Sequence, residues 1–190
     1  MADTIFLLWI SVASALLLLF FYAAWLNVRN HRRVELGQLI PSFLPVDVEM
    51  FSRLVASHPL SGEVTSKSQR ENIRLIMDSL RRMTRNAALL QQLGYSHVDS
   101  GNQLISDLAQ QMIDAGVYVR LYTFIGLVVL RFRSILKLRS IPGFLASRIN
   151  DAQKMMSQNL VPSYELLKDK AGNLAFLKFS AHHEALVQSL

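Results

Sequence analysis

The sequence predicts an all-α protein with a single N-terminal transmembrane helix followed by an irregular helical-bundle cytoplasmic domain. Three observations predict this class: an uncharged apolar run near the start, helical spacing of apolar residues after it, and no useful stretch of strand-like alternation. Four segments are expected: a short outer tail at 1–4, the span at 5–26, a basic juxtamembrane segment and linker at 27–46, and the helical domain at 47–190.

The transmembrane prediction rests on residues 5–26, IFLLWISVASALLLLFFYAAWL, which contain no charge, Pro or Gly. As a helix this run would extend roughly 33 Å, enough to cross a hydrocarbon core of about 30 Å. Trp9, Tyr22 and Trp25 lie near its ends, where amphipathic rings favour the membrane interface. A cleaved signal peptide is the alternative, but no Lys or Arg precedes the run and no convincing small-x-small cleavage site ends it.

The distribution of charge predicts the orientation of this span. Arg29, Arg32 and Arg33 follow it at once and are expected at the membrane interface, whereas Asp3 is the only charged side chain before it. Because positive charge is retained on the inner side, the rule predicts the N-terminus outside and the C-terminal domain in the cytoplasm.

The linker that follows is interrupted by Pro41 and Pro45, yet it is too apolar for a free solvated tether. We expect it to lie against the domain or the membrane surface. Asp47 predicts the cap of a short helix that runs to about Ser57. The apolar side chains that this helix is expected to bury are Met50, Phe51, Leu54 and Val55.

Two capping boxes, at 68–71 and 100–103, predict the starts of the two longest helices of the domain. The first is expected to end at Gly94. The apolar face predicted for it comprises Ile73, Ile76, Met77, Leu80, Met83, Ala87 and Leu90. The second would reach about 40 residues, which is unusually long, so we expect a kink or break near Gly116.

Pro and Gly divide the rest of the domain. Pro142 and Gly143 end the long helix, and Pro162 separates a helix at about 143–160 from another at about 163–187. Gly172 is a candidate break in the last one.

The second apolar run, LYTFIGLVVL at 121–130, is too short to span a bilayer as a helix. It is either the central core helix of the bundle or part of an amphipathic helix, around 117–139, in the cytoplasmic membrane surface. A second span over 104–130 is disfavoured because it would bury Asp107, Asp114 and Arg120. The candidate apolar docking face comprises Leu121, Phe124, Ile125, Val128 and Phe132.

The chain carries 20 Lys and Arg against 14 Asp and Glu, so its formal charge of +6 favours anionic partners. The candidate face for an anionic partner or lipid comprises Arg70, Arg74, Arg81, Arg85, Arg120, Arg131, Arg133 and Lys137. An ordinary solvated helix face is the alternative interpretation of the arginines. Nucleic acid is disfavoured, because no interleaved aromatics or recognised base-reading motif accompany them.

Residues that would carry chemistry are sparse. The sequence has no Cys, which excludes disulfides, thiolate metal sites and thiol nucleophiles. His182, His183 and Glu184 suggest a metal site, but adjacent helical residues point about 100° apart and cannot converge alone. No phosphate-binding glycine loop, nucleotide fingerprint or nucleophile elbow is present. We therefore expect no catalytic residue, no cofactor and no metal.

Together these features predict a non-catalytic accessory or scaffold subunit of a larger membrane protein complex. It would dock through its transmembrane helix and its basic helical domain, with membrane lipid and an integral membrane protein as partners. The alternative is a lipid-binding or remodelling protein of the membrane surface, which would use the amphipathic basic helix around 117–139.

Overall fold

The computed structural model describes residues 36–57, 67–136 and 143–190 of the chain. These residues belong to the second of two compact units, Glu35–Leu190, and every regular element among them is helical. The all-α prediction is therefore confirmed for the described domain. The predicted transmembrane helix at 5–26 lies outside the described residues.

The helices are numbered in chain order. They are α1 Leu36–Leu39, α2 Val48–Ser57, α3 Lys67–Tyr95, α4 Gln103–Leu136, α5 Gly143–Met155, α6 Val161–Lys178 and α7 His183–Ser189. A 3-10 turn, Ile40–Ser42, follows α1, and a second, Ser180–His182, precedes α7. A π-helical turn, Met156–Leu160, joins α5 to α6.

The two longest helices, α3 and α4, form an antiparallel pair at the centre of the described domain. Gly94 approaches Ala109 near the connection between them, and Thr84 meets Thr123 about three turns farther away. α6 also packs against α4, and the π-helical turn contacts both α4 and α6. As a result, α4 is the central helix of the bundle.

The apolar face predicted for α3 faces the core. Its buried members are Ile73, Ile76, Leu80, Met83, Ala87 and Leu90, whereas Met77 is half-buried. Burial of a large aliphatic side chain contributes about 1.5–3 kcal/mol, so this face supplies much of the stability of the α3–α4 pair.

The start of α2 was predicted correctly. The Met50 backbone N–H donates to Oδ1 of Asp47 at 2.7 Å, as expected of a cap. Phe51 and Val55 are fully buried, but Met50 is 37 % exposed and Leu54 is half-buried, so only half of the predicted apolar side is core.

The two predicted capping boxes were wrong in detail. α3 begins at Lys67, so Ser68 lies inside the helix. At the start of α4, the Leu104 N–H donates to Oδ1 of Asn102 at 3.0 Å, and Ser100 instead accepts a bond from the Asn102 N–H. Because an Asn side chain accepts from the N–H two residues on, it caps this helix two residues later than expected.

The sequence predicts a kink or break near Gly116, and a break is wrong, because α4 is continuous from Gln103 to Leu136. An added Cβ at Gly116 would lie 2.8 Å from Cδ of Gln91 on α3. This glycine therefore permits close approach of two helices and does not interrupt one.

Pro162 separates α5 from α6 less sharply than predicted. The helical path runs from Gly143 to Lys178, and only the π-helical turn just before Pro162 marks the proline. A proline lacks an N–H and its ring clashes with a carbonyl one turn back, and a widened turn relieves both problems. Gly172 does not split α6.

The linker lies against the domain, which confirms one of the two predicted placements. Leu36, Leu39, Phe43 and Val46 are buried, with exposed fractions between 1 % and 9 %. The apolar composition of this segment is therefore explained by packing.

Candidate docking surface of the central helix

One side of α4 is sealed inside the bundle by small and medium side chains. Val119, Thr123, Gly126 and Leu130 form this buried seam. An added Cβ at Gly126 would lie 3.0 Å from Sδ of Met156, so the glycine lets α4 contact the neighbouring helices closely.

The hydroxyl of Thr123, the polar side chain within the seam, has hydrogen-bond partners. Thr84 Oγ1 on α3 and Thr123 Oγ1 lie 2.7 Å apart, and each hydroxyl also contacts the carbonyl one turn back in its own helix, Leu80 or Val119, at 2.9 Å. Because a buried hydroxyl without a partner costs free energy, this pair fixes the register of α3 against α4.

The opposite side of α4 is apolar but incompletely covered; we call it the outer face of α4. Leu121, Phe124, Ile125 and Val128 are half-buried, whereas Val117 is 41 % exposed and Tyr118 is 53 % exposed. At about 100° per residue, Leu121, Ile125 and Val128 point away from the seam. The outer face of α4 is defined by Val117, Tyr118, Leu121, Phe124, Ile125 and Val128.

The structure thus places four of the five predicted docking residues on one face. The backbone of the fifth, Phe132, continues the same helix, but its side chain lies outside the described set. Tyr118 and Tyr122 stack with ring centroids 6.3 Å apart at the exposed edge of this face. Aromatic rings with a polar tip suit surfaces that are partly apolar and partly wet.

Within the described residues, one helical stretch, Gln103–Arg131 in α4, is long and apolar enough to cross a membrane. Core helices of soluble proteins meet the same criterion, so this is a weak indication. Here 39 % of the most apolar window is buried inside the domain. Asp107 and Asp114 are exposed on the same stretch and would oppose its insertion.

Arg120 does not belong to an exposed anionic-partner face, contrary to the prediction. Its side chain is half-buried, and Nη1 donates to Oε1 of Gln91 at 3.0 Å. Nε2 of Gln91 donates in turn to the Ile113 carbonyl at 3.0 Å, so this glutamine of α3 bonds to two positions on α4. Nε of Arg120 is buried without an acceptor.

Four of the other predicted arginines do form one exposed surface. Arg70, Arg74, Arg81 and Arg85 are all exposed on α3. Arg131 is exposed on α4, a different helix, and the structure does not bring it into the α3 row. The side chains of Arg133 and Lys137 lie outside the described set, as do the predicted interface residues Trp9, Tyr22, Trp25, Arg29, Arg32 and Arg33.

A buried polar junction that the sequence analysis missed fastens the linker to the bundle. Asn86 is fully buried; its Oδ1 accepts from the Leu44 N–H at 3.0 Å, and its Nδ2 donates to the Leu44 carbonyl at 2.7 Å. Nδ2 also lies 2.9 Å from the hydroxyl of Tyr164 on α6. Burial raises the pKa of Tyr164, and the bond from Asn86 partly opposes that rise. The sequence offered one signal of this junction: Asn86 is a polar residue beside the apolar face of α3.

His97 forms a second buried contact, between the end of α3 and the end of α6. Its Nδ1 lies 2.9 Å from the Leu93 carbonyl and 2.9 Å from Oγ of Ser96, and its ring meets that of Phe179 edge to face. Burial lowers the pKa of His97, the bond to Leu93 raises it, and the charge of Lys178 lowers it. These contacts suit a neutral imidazole that packs two helix ends together.

Metal ligation receives no support from the described residues, among which no group of three or more His, Asp or Glu side chains could hold a metal ion. His183 instead packs its ring edge-on against Phe176, with centroids 5.6 Å apart. The comparisons with known proteins found no matching family model, no matching curated protein and no matching solved structure.

Proposed function

We propose that the chain is a non-catalytic accessory or scaffold subunit of a larger membrane protein complex, anchored by residues 5–26 and docked through its helical domain. The observation that carries the docking step is the outer face of α4. This face belongs to the central helix of the bundle, yet its large apolar side chains are left half-covered or exposed.

The argument follows from the usual division of a helix in a globular protein. A helix that meets water on one side carries polar residues there. In α4 the outer face is apolar instead, from Val117 to Val128, although the opposite seam is already buried in the bundle. A partner that covered this face would gain about 25 cal/mol for each Å² of apolar surface removed from water.

Packing counts against the alternative, in which a free amphipathic helix around 117–139 lies in the membrane surface. Such a helix needs one apolar side and one basic side. In α4 the side opposite the outer face is held by α3 and α6, and Arg120 is bound to Gln91 within the bundle. The accessory-subunit interpretation needs no rearrangement of these contacts.

The experiment is extraction of the full-length chain from its native membrane in mild detergent, followed by size-exclusion chromatography. We expect the chain to elute in a stable complex larger than a monomer. The paired substitution L121N/I125N should weaken that complex at least tenfold, which corresponds to about 1.4 kcal/mol. A lone monomer of the unsubstituted chain would contradict the proposal.

A matched control uses two exposed leucines of α6, Leu166 and Leu177, which are 48 % and 46 % exposed. The pair L166N/L177N makes the same chemical change outside the outer face of α4 and should leave the complex intact. A photo-crosslinking residue at position 128 then identifies what covers the face: protein adducts support docking, whereas adducts to lipid alone favour the membrane-surface alternative.

A further inference from the structure

Four arginines form one straight row on the outside of α3. Arg70, Arg74, Arg81 and Arg85 are exposed, and their spacing of four, seven and four residues returns each to nearly the same side of the helix. At 1.5 Å per residue the row is about 22 Å long. It lies opposite the core side of α3, which carries Leu80 and Ala87. We call these four residues the arginine row.

The two acidic residues of α3, Glu71 and Asp78, only partly offset the charge of the arginine row. Asp78 lies within the row's length, but Arg82 engages it, with Nη2 2.8 Å and Nε 2.9 Å from Oδ2. The other ion pair among the described residues joins Arg53 to Glu49 on α2. α3 carries six basic and two acidic side chains, a net charge of +4.

The segment that leads from the proposed anchor is fastened to this same helix. Leu44 is bound through both backbone groups to Asn86, and Arg82 Nη1 donates to the Pro45 carbonyl at 3.2 Å. Both attachment points lie on the turns that carry Arg81 and Arg85. The arginine row therefore lies on the same helix to which the linker is fastened.

We propose that the arginine row binds the anionic headgroup surface of the membrane that holds the chain, an inference that rests on the proposed anchor at 5–26. Four separated guanidinium groups in a line match a flat surface of distributed negative charge. One compact anion would engage only one pair of neighbours four residues apart, Arg70 with Arg74 or Arg81 with Arg85, and would leave the other pair unmatched. The outer face of α4 remains available to the partner protein.

The test uses the full-length chain reconstituted into phosphatidylcholine vesicles with and without anionic phosphatidylglycerol. The chain has no Cys, so A88C provides a single labelling site one turn beyond Arg85. Energy transfer from a fluorophore at position 88 to a headgroup dye measures how close the arginine row lies to the bilayer. We expect strong transfer that requires phosphatidylglycerol and falls as salt shortens the Debye length.

Substitutions distinguish binding by the arginine row from binding by the overall positive charge of the domain. One arginine near an anionic surface shifts its equilibrium roughly fivefold, so R74Q/R81Q should reduce the population at the membrane about 25-fold. R148Q/K154Q removes two exposed charges from α5 and should change it little. Circular dichroism of each variant verifies that the fold is retained.

Three results of the energy-transfer experiment would overturn the inference: transfer that does not depend on phosphatidylglycerol, equal losses in both charge variants, or an unchanged signal in R74Q/R81Q. Loss of the native complex, instead of lipid contact, in R74Q/R81Q would assign the row to an acidic protein and also overturn it. Failure of the anchor is distinguishable, because alkaline carbonate would then extract the chain, while flotation of the same vesicles still reports the dependence on phosphatidylglycerol.

Discussion

The substitution Asn86→Leu tests how firmly the linker is held. It preserves approximate side-chain size but removes both bonds to Leu44 and the bond to Tyr164. A buried polar group left without a partner costs about 1–3 kcal/mol. Leu44 is half-buried, so water can reach part of its backbone, whereas Tyr164 is fully buried. The expected loss is therefore about 3 kcal/mol, near the lower end for three groups.

Thermal unfolding of the full-length chain in detergent, followed by circular dichroism, measures this loss. For a domain of this size 1 kcal/mol corresponds to about 2–4 °C, so the midpoint should fall by about 6–12 °C. Amide hydrogen exchange at Leu44 should accelerate in parallel, because its N–H loses its acceptor.

The substitution Tyr164→Phe removes only part of the same hydrogen-bond network. It removes a single bond and leaves Asn86 paired with Leu44, so the loss should be about 1 kcal/mol. If Asn86→Leu cost no more than Tyr164→Phe, or left the exchange of Leu44 unchanged, the junction would not hold the linker and the reasoning would be refuted.

Four further substitutions have defined outcomes in the same unfolding assay. Gly116→Ala should destabilise by about 1–3 kcal/mol, because its Cβ would collide with a side chain, whereas Gly101→Ala, with open space around it, should not. Asp47→Ala should cost about 1 kcal/mol through loss of the α2 cap. Burial lowers the pKa of His97, so the unfolded chain binds its proton more readily and stability should fall as the pH drops through about 6.5; His97→Gln should flatten that fall.

Local patterns predicted the helices of this domain well, because the relevant forces act within one or two turns. The apolar spacing of α3 and the Asp47 cap of α2 were both correct. The predictions failed where the role of a residue is set by a contact with a residue far away in sequence. The sequence predicts a kink or break near Gly116, whereas the role of this glycine depends on Gln91, which is 25 positions away in sequence.

The polar contacts of the bundle were less accessible to prediction for the same reason. Asn86 meets Leu44 and Tyr164 across 42 and 78 positions of sequence, and no local spacing encodes those contacts. Arg120 was assigned to a solvent-facing set because its charge suggested exposure, yet Gln91 holds it half-buried. The exposed arginine row was predictable because solvation of a helix face is a local property.

The central helix shows why periodicity alone could not choose between the two interpretations of residues 121–130. Both sides of α4 are apolar, so the spacing of large side chains placed Leu121, Ile125 and Val128 on one apolar face without deciding whether that face packs in the core or outside it. The bundle uses the other side, where Gly126 and Thr123 allow helices to approach closely. Close packing favours small residues at a crossing and leaves the larger ones outside. The large apolar side chains of the outer face of α4 therefore remain partly exposed to water in the isolated domain. This exposure is the physical basis for proposing that a partner protein buries them.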